Sequence, residues 1–270
     1  MYAYRMAYDG RPFHGFQRQP DVSTVEDALL DGLAHLGVAS REDDVPTGYS
    51  AAGRTDAGVS AIGQTIAFSG PDWLTPQVLN GALPNSVHAW ARAEVPESFH
   101  ARYDAILRVY TYRLLADRLD EGLTRQALST LSGVHDFRHL TSDTARTRRV
   151  VHIDVTRDDR WLCIEVAAPG FARQQVRRIV GVASAIGAGE VPLDRIGRLL
   201  SAEPLPGHLN VAPAPPEPLC LRHVRYGDVD FAVDSDAMQR MQAYLKTEAG
   251  AAATRSRSFE QAYDWLNHGR

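Results

Sequence analysis

Strand-like apolar runs alternate with amphipathic helical segments twice along this chain, and that doubled order constrains its fold more than any other feature. In the first half, Tyr2–Tyr8 alternates as a strand and stops at the turn residues Asp9-Gly10-Arg11-Pro12. After a polar, aromatic loop, Ser23-Thr24-Val25-Glu26 has the spacing of a capping box, and Val25, Leu29, Leu33 and Leu36 recur at helical intervals. Residues 40–47 form a charged loop, 64–69 a strand, Thr75-Pro76 the capped start of a second helix, and 87–95 and 105–115 two more strands. A similar order returns in the second half, with a helix near 123–131, strands at 150–156 and 161–167, a helix at 174–186 and a strand at 219–226. The pattern predicts an α+β protein of two similar α/β halves, residues 1–104 and 105–234, with a cleft between them. Six prolines within 204–218 force an extended loop. Beyond Asp234 a helical tail, residues 235–270, carries Met238, Met241 and Leu245 on one face, and 259–266 adds a short final turn.

Composition narrows the class. The 270 residues, 44% hydrophobic and 23% charged, suffice for one large or two ordinary globular domains. No run approaches the roughly 18 apolar residues of a membrane span, and the N-terminus lacks a signal-peptide pattern, so no membrane partner and a cytoplasmic location are expected. Cys163 and Cys220 lie in apolar runs without metal-ligand spacing and read as buried free thiols. The net charge of −4 does not advertise nucleic acid, yet all but one of the 29 basic residues are arginine. They cluster at Arg138, Arg146, Arg148 and Arg149 and again at Arg173, Arg177 and Arg178, a distribution suited to phosphates or carboxylates.

Within Gly53-Arg54-Thr55-Asp56-Ala57-Gly58-Val59, small residues flank one carboxylate and leave it approachable by a bulky ligand. An arginine two positions away would favour the ionised carboxylate, making Asp56 a nucleophile rather than an acid. The same residues also suit a surface turn in which Asp56 bonds its own backbone. Three other segments bear on the choice. The loop from Tyr8-Asp9-Gly10 through Phe13, Gly15, Phe16, Gln17, Arg18 and Gln19 offers stacking and phosphate contacts suited to RNA, or simple packing at a hairpin tip. Phe99-His100-Ala101-Arg102-Tyr103 leads to Arg108-Val109-Tyr110-Thr111-Tyr112, where Tyr110 and Tyr112 share a strand face. In the segment 170–181, Val176, Ile179, Val180 and Ala183 make a buried helical stripe. Arg173 and Arg177 stand four residues apart without a local acid. Their counter-anion would be an internal carboxylate, a phosphate, or Asp56.

Together, in this order and from Tyr8 to about Phe231, these motifs resemble a tRNA pseudouridine synthase of the TruA family. The resemblance implies the pseudouridine synthase fold, with ferredoxin- or RRM-like halves and a mostly antiparallel central sheet. It implies an isomerase that detaches uracil from its ribose and rejoins it through C5, in the anticodon arm of tRNA at positions 38, 39 or 40. Asp56 matches the nucleophile, Tyr110 the tyrosine that stacks on the base and helps remove the C5 proton, and Arg177 the arginine that pairs with the aspartate. Arg54, Gln17, Arg18, Phe16, Arg102 and Arg173, with Tyr110, are the implied substrate contacts. A homodimer without cofactor or metal is implied as well. Ser60, Phe16 and Arg173-Gln174-Gln175 depart from the residues common in bacterial members, which concerns RNA contacts rather than the reaction.

Rival readings have less to carry them. His135, Asp136 and His139 would put two histidines on one helix face for a metal, but no glutamate completes a zinc-protease pattern and Gly133 favours a turn. No strand leads into a glycine-rich dinucleotide loop. A non-catalytic tRNA-binding protein of the same fold, or a synthase with another RNA target, remains consistent with the residues.

Overall fold

The computed structural model describes residues 1–39, 45–141, 147–201, 203 and 212–268, with side chains as far as Gln261. The charged loop at 40–44, Arg146, the proline-rich 204–211 and the side chains of the final predicted turn past Gln261 lie outside the described residues. In the first half, β1 (Tyr2–Tyr8), α1 (Val25–His35), β2 (Ser50–Ala51), β3 (Ser60–Phe68), α2 (Pro76–Asn80) and β4 (Val87–Glu94) follow in order. The second contributes β5 (Leu107–Leu115), α3 (Glu121–Thr130), β6 (Gly133–Asp136), β7 (Thr147–Val150), β8 (His152–Asp158), β9 (Trp161–Ala168), α4 (Gln175–Gly187), α5 (Ile196–Leu199), β10 (Leu219–Arg225), β11 (Ala232–Val233) and α6 (Ser235–His268).

The protein is α+β and mostly antiparallel. One sheet runs β11-β4-β1-β3-β10-β5-β9-β8, with β2 on β3, and β6 pairs with β7 separately. The halves meet edge to edge, because β10 lies parallel to β3 on one side and antiparallel to β5 on the other. At this seam Gly63 has no room for a side chain: a Cβ there would stand 2.3 Å from the Arg222 carbonyl oxygen. β11 returns to β4, so the second half also closes the far edge of the first.

Local chemistry explains the elements. β1 is buried along nearly its whole length, as a strand covered on both faces requires. Its Arg5 survives burial by donating to Thr65 at 2.9 Å and lying 4.1 Å from the Phe231 ring centre. The cap of α1 is one residue later than the spacing suggests. Thr24, fully buried, accepts from the Asp27 amide at 3.2 Å and donates to the Asp27 carboxylate at 2.6 Å, so Thr24 and Asp27 replace Ser23 and Glu26. Thr75 and Pro76 open α2 as expected. The tail is a single helix rather than a helix plus a final turn, because the alanine-rich 249–253 bridges its two parts with high helix propensity. Its first turns pack Ala237, Met238, Met241 and Tyr244 inward, whereas residues 249–261 are all exposed.

Candidate active site

The turn bearing Asp56 joins β2 to β3, closed by a Val59 amide bond to the Asp56 carbonyl at 3.1 Å. Its entrance is fixed from β3: the buried Gln64 amide accepts from the Gly53 N–H at 3.2 Å and donates to the Gly53 carbonyl at 2.8 Å. Thr55 is pinned to the Tyr8 hydroxyl at 2.8 Å. The loop after β1 lies directly on this turn. The Phe16 amide donates to the Thr55 carbonyl at 3.0 Å, and a Cβ on Gly10 would fall 2.2 Å from the Val59 oxygen, so the approach demands glycine. Thus the first half holds Asp56 from two sides while leaving its side chain 24% exposed.

The second half supplies the cation. Arg177, on the first turns of α4, places Nη1 3.2 Å from Asp56 Oδ2. Its Nε donates to the Ala214 carbonyl at 2.8 Å, and the Ala214 amide donates to the Arg177 carbonyl at 2.9 Å, so the guanidinium is held at both its head and its backbone. Among the described residues this is the ion pair that Asp56 makes.

Tyr110 comes from β5, beside the seam strand β10. Its hydroxyl would be 3.9 Å from a Cβ on Gly53, at the entrance of the Asp56 turn, and Phe171 meets its ring edge-on at 5.3 Å and 85°. Burial drives the phenol well above its ordinary range. The positive Arg108 opposes that shift and the Asp56 carboxylate adds to it. Tyr110 is therefore a neutral phenol at physiological pH, and its hydroxyl has no hydrogen-bond partner among the described residues. Tyr112, on the same strand face, is pushed up to about 12 by burial.

Asp56, Arg177 and Tyr110 therefore converge from three elements. Arg54 does not join them: it is exposed and makes no ion pair with Asp56 among the described residues, because the turn directs the pairing across to α4. Phe16 is 1% exposed and packs toward Tyr8, so its ring offers no face to a base. Gln17 is exposed, and Arg18, also exposed, is engaged by Asp27 at 2.9 Å. Arg102 is exposed near the Tyr103 ring. Arg173 is exposed but does not stack with Arg177 on a helix: Gln174 takes a left-handed φ of 60°, and α4 begins after it.

The histidines do not share a helix face either. His135 is on β6 and bonds the Ser132 carbonyl at 2.7 Å; His139 is in a short 3-10 turn and bonds the Glu203 carbonyl at 2.8 Å. Asp136 is taken by Arg138 at 2.6 Å. Both cysteines are half-buried rather than fully buried, and burial pushes the Cys220 thiol up to about 11, keeping it protonated. The supports are Gln64, Thr55 and Arg108. Thr55 and Arg108 stand inside the quoted motifs with no role read for them, Arg108 as a charge two residues before Tyr110 on the same strand face, and Gln64 stands outside the motifs.

Chemically, this is one approachable carboxylate held by a guanidinium next to a neutral aromatic wall. It suits a nucleophile acting on a planar, uncharged group.

A family model described as tRNA pseudouridine synthase matches residues 127–227, which include Arg177. The tRNA pseudouridine synthase A of Haloarcula marismortui is 49% identical over 275 residues, covering 98% of this chain and 100% of that protein. That of Natronomonas pharaonis is 49% identical over 249 residues, covering 92% of this chain and 93% of its own. The Thermococcus kodakarensis protein of the same name is 35% identical over 263 residues, covering 95% and 96%. The three relatives, each covering at least 92% of this chain, extend over both halves.

Proposed function

Because the chain belongs to the tRNA pseudouridine synthase family, and is an isomerase acting on tRNA, we propose that Asp56 is the nucleophile that detaches uracil from its ribose, and that the target uridines lie in the anticodon arm at positions 38, 39 or 40. The observation that carries the first part is the Asp56–Arg177 pair, a partly exposed carboxylate fixed at 3.2 Å by a cation from the other half. A base covering Asp56 would remove water and disfavour its charge; the guanidinium opposes that loss. The anticodon-arm position rests on the family resemblance.

A uridine stacked or paired in RNA must be extracted before its glycosidic bond is reached, at a cost of a few kcal/mol. Tyr110 is the surface that receives the extracted base, with its ring steadied by Phe171. Tyr110 takes the C5 proton only as the phenolate, once its own proton has passed to water, and as the neutral phenol it holds the ring. Arg54, Arg102 and Arg173, exposed and without acid partners among the described residues, meet the RNA phosphates, joined by Gln17 and Arg18. The reaction is neither a redox step nor a hydrolysis, so it needs neither cofactor nor metal, and turnover should persist in a chelator. The enzyme acts as a cytoplasmic homodimer in this reading.

Asp56→Asn, nearly isosteric, should abolish pseudouridine formation on an unmodified tRNA transcript and leave tRNA binding intact. Chemical mapping of pseudouridine after incubation with the native protein reads both turnover and position. Normal turnover by the variant removes Asp56 from the mechanism, and product outside the anticodon arm removes the positional assignment.

A further inference from the structure

Two residues before Tyr110 stands a buried cation. Arg108 is 8% exposed, and among the described residues no carboxylate pairs with it. Withdrawing a guanidinium from water costs several kcal/mol unless dipoles replace the solvent. Here backbone carbonyls replace it. Nε and Nη2 donate to the Ala52 oxygen at 2.9 and 2.7 Å, Nη2 donates to the Arg102 oxygen at 2.7 Å, and Nη1 donates to the Pro169 oxygen.

These three acceptors belong to the segments from which the site is assembled. Ala52 immediately precedes the turn of Gly53 and Asp56. Pro169 opens the passage from β9 toward Phe171, whose ring meets Tyr110, and toward Arg177 on α4. Arg102 lies in the turn before β5, which is itself tied to β2 by the Ala101 amide donating to Ser50 Oγ at 3.0 Å. Arg108 and Tyr110 share a strand face, so one guanidinium sits at the junction of all three.

We propose that Arg108 is a positioning residue of the isomerisation, whose planar fork fixes the Asp56 turn and the Phe171-to-Arg177 segment on either side of Tyr110. The proposal rests on the reading of Asp56 as nucleophile. A lysine keeps the charge but presents one nitrogen, which cannot span carbonyls arriving from three directions. Burial lowers the Arg108 pKa yet leaves it charged at neutral pH. Fork and charge are therefore separable by substitution.

The experiment compares Arg108→Lys and Arg108→Met with the native full-length chain in single-turnover pseudouridine formation at saturating enzyme, alongside tRNA affinity and thermal melting. Both variants should turn over at least about tenfold more slowly, since displacements near 1 Å cost that much or more, with tRNA affinity within about twofold of native. Native turnover by Arg108→Lys overturns the proposal, as charge alone would then suffice. A loss confined to tRNA affinity overturns it too, making Arg108 an RNA contact, and so does a variant that no longer folds, making it a stability residue. An active Asp56→Asn instead overturns the nucleophile reading, so the two failures are distinguishable.

Discussion

At the level of single residues, Asp56 and Arg177 come from opposite halves and depend on each other. On the proposed mechanism, replacing Arg177 with glutamine removes the cation that opposes desolvation of the carboxylate under a bound base. The expected result is a single-turnover rate lowered by a factor of at least ten, about 1.4 kcal/mol, with tRNA affinity little changed. Arg54→Ala should behave in the opposite way, because Arg54 is exposed and unpaired with Asp56. Its tRNA dissociation constant should rise while the rate at saturation holds, and a titration of labelled transcript separates the two. The spacing of small residues around Asp56 and the arginines without a local acid left the partner open between a carboxylate, a phosphate and Asp56, and only the family resemblance implied this pair. The burial of Phe16 was not legible, since an aromatic in a glycine-rich loop reads the same whether it faces a base or Tyr8. Nor was the support from Arg108, whose partners are backbone carbonyls, those of Ala52 and Pro169 being distant in the chain, and leave no pattern in residue types.

Among the elements, α1 and α6 make the clearest cases. Thr24 caps α1 while fully buried, so Thr24→Ala should lower stability by about 1 kcal/mol, read as a shift of the urea midpoint, whereas Ser23→Ala should do little. The spacing places the cap one residue early because serine and threonine stand side by side, and only the reciprocal bond with Asp27 decides between them. In α6 the apolar residues at 238, 241 and 245 correctly marked a helix, but periodicity cannot say where a helix leaves the body it packs on. Here it leaves after Glu248, whose carboxylate is paired with Arg11. Ending the chain at Ala249 should therefore leave the melting temperature nearly unchanged. Ending it at Val233, which strips Ala237, Met238, Met241 and Tyr244 from the sheet, should lower it by several degrees.

For the molecule as a whole, acidity should weaken the fold before it reaches the carboxylates. Burial pushes His88 below the ordinary imidazole value of 6.5, helped by Arg240, and pushes His223 the same way, helped by Arg5, Arg222 and Arg225. The unfolded chain then binds these protons first. Stability is complete above about pH 6.5, falls as pH drops from there to the lowered folded values, and levels off below them. Melting at pH 8 and pH 5.5 should show this difference, and His88→Gln should reduce it. The doubled strand-and-helix order made the α+β class legible at this scale, because each segment carries its own periodicity. Which edges meet was not legible, since a pairing 160 residues apart in sequence leaves no local mark. That pairing, β10 laid between β3 and β5, governs how the enzyme comes into being on the ribosome. By residue 177 the nascent chain has received Asp56, Tyr110 and Arg177, yet the strand that joins their two halves, Leu219–Arg225, has still to be synthesised. Translation arrested before Leu219 should yield chains that carry all three side chains proposed for the reaction and modify no tRNA.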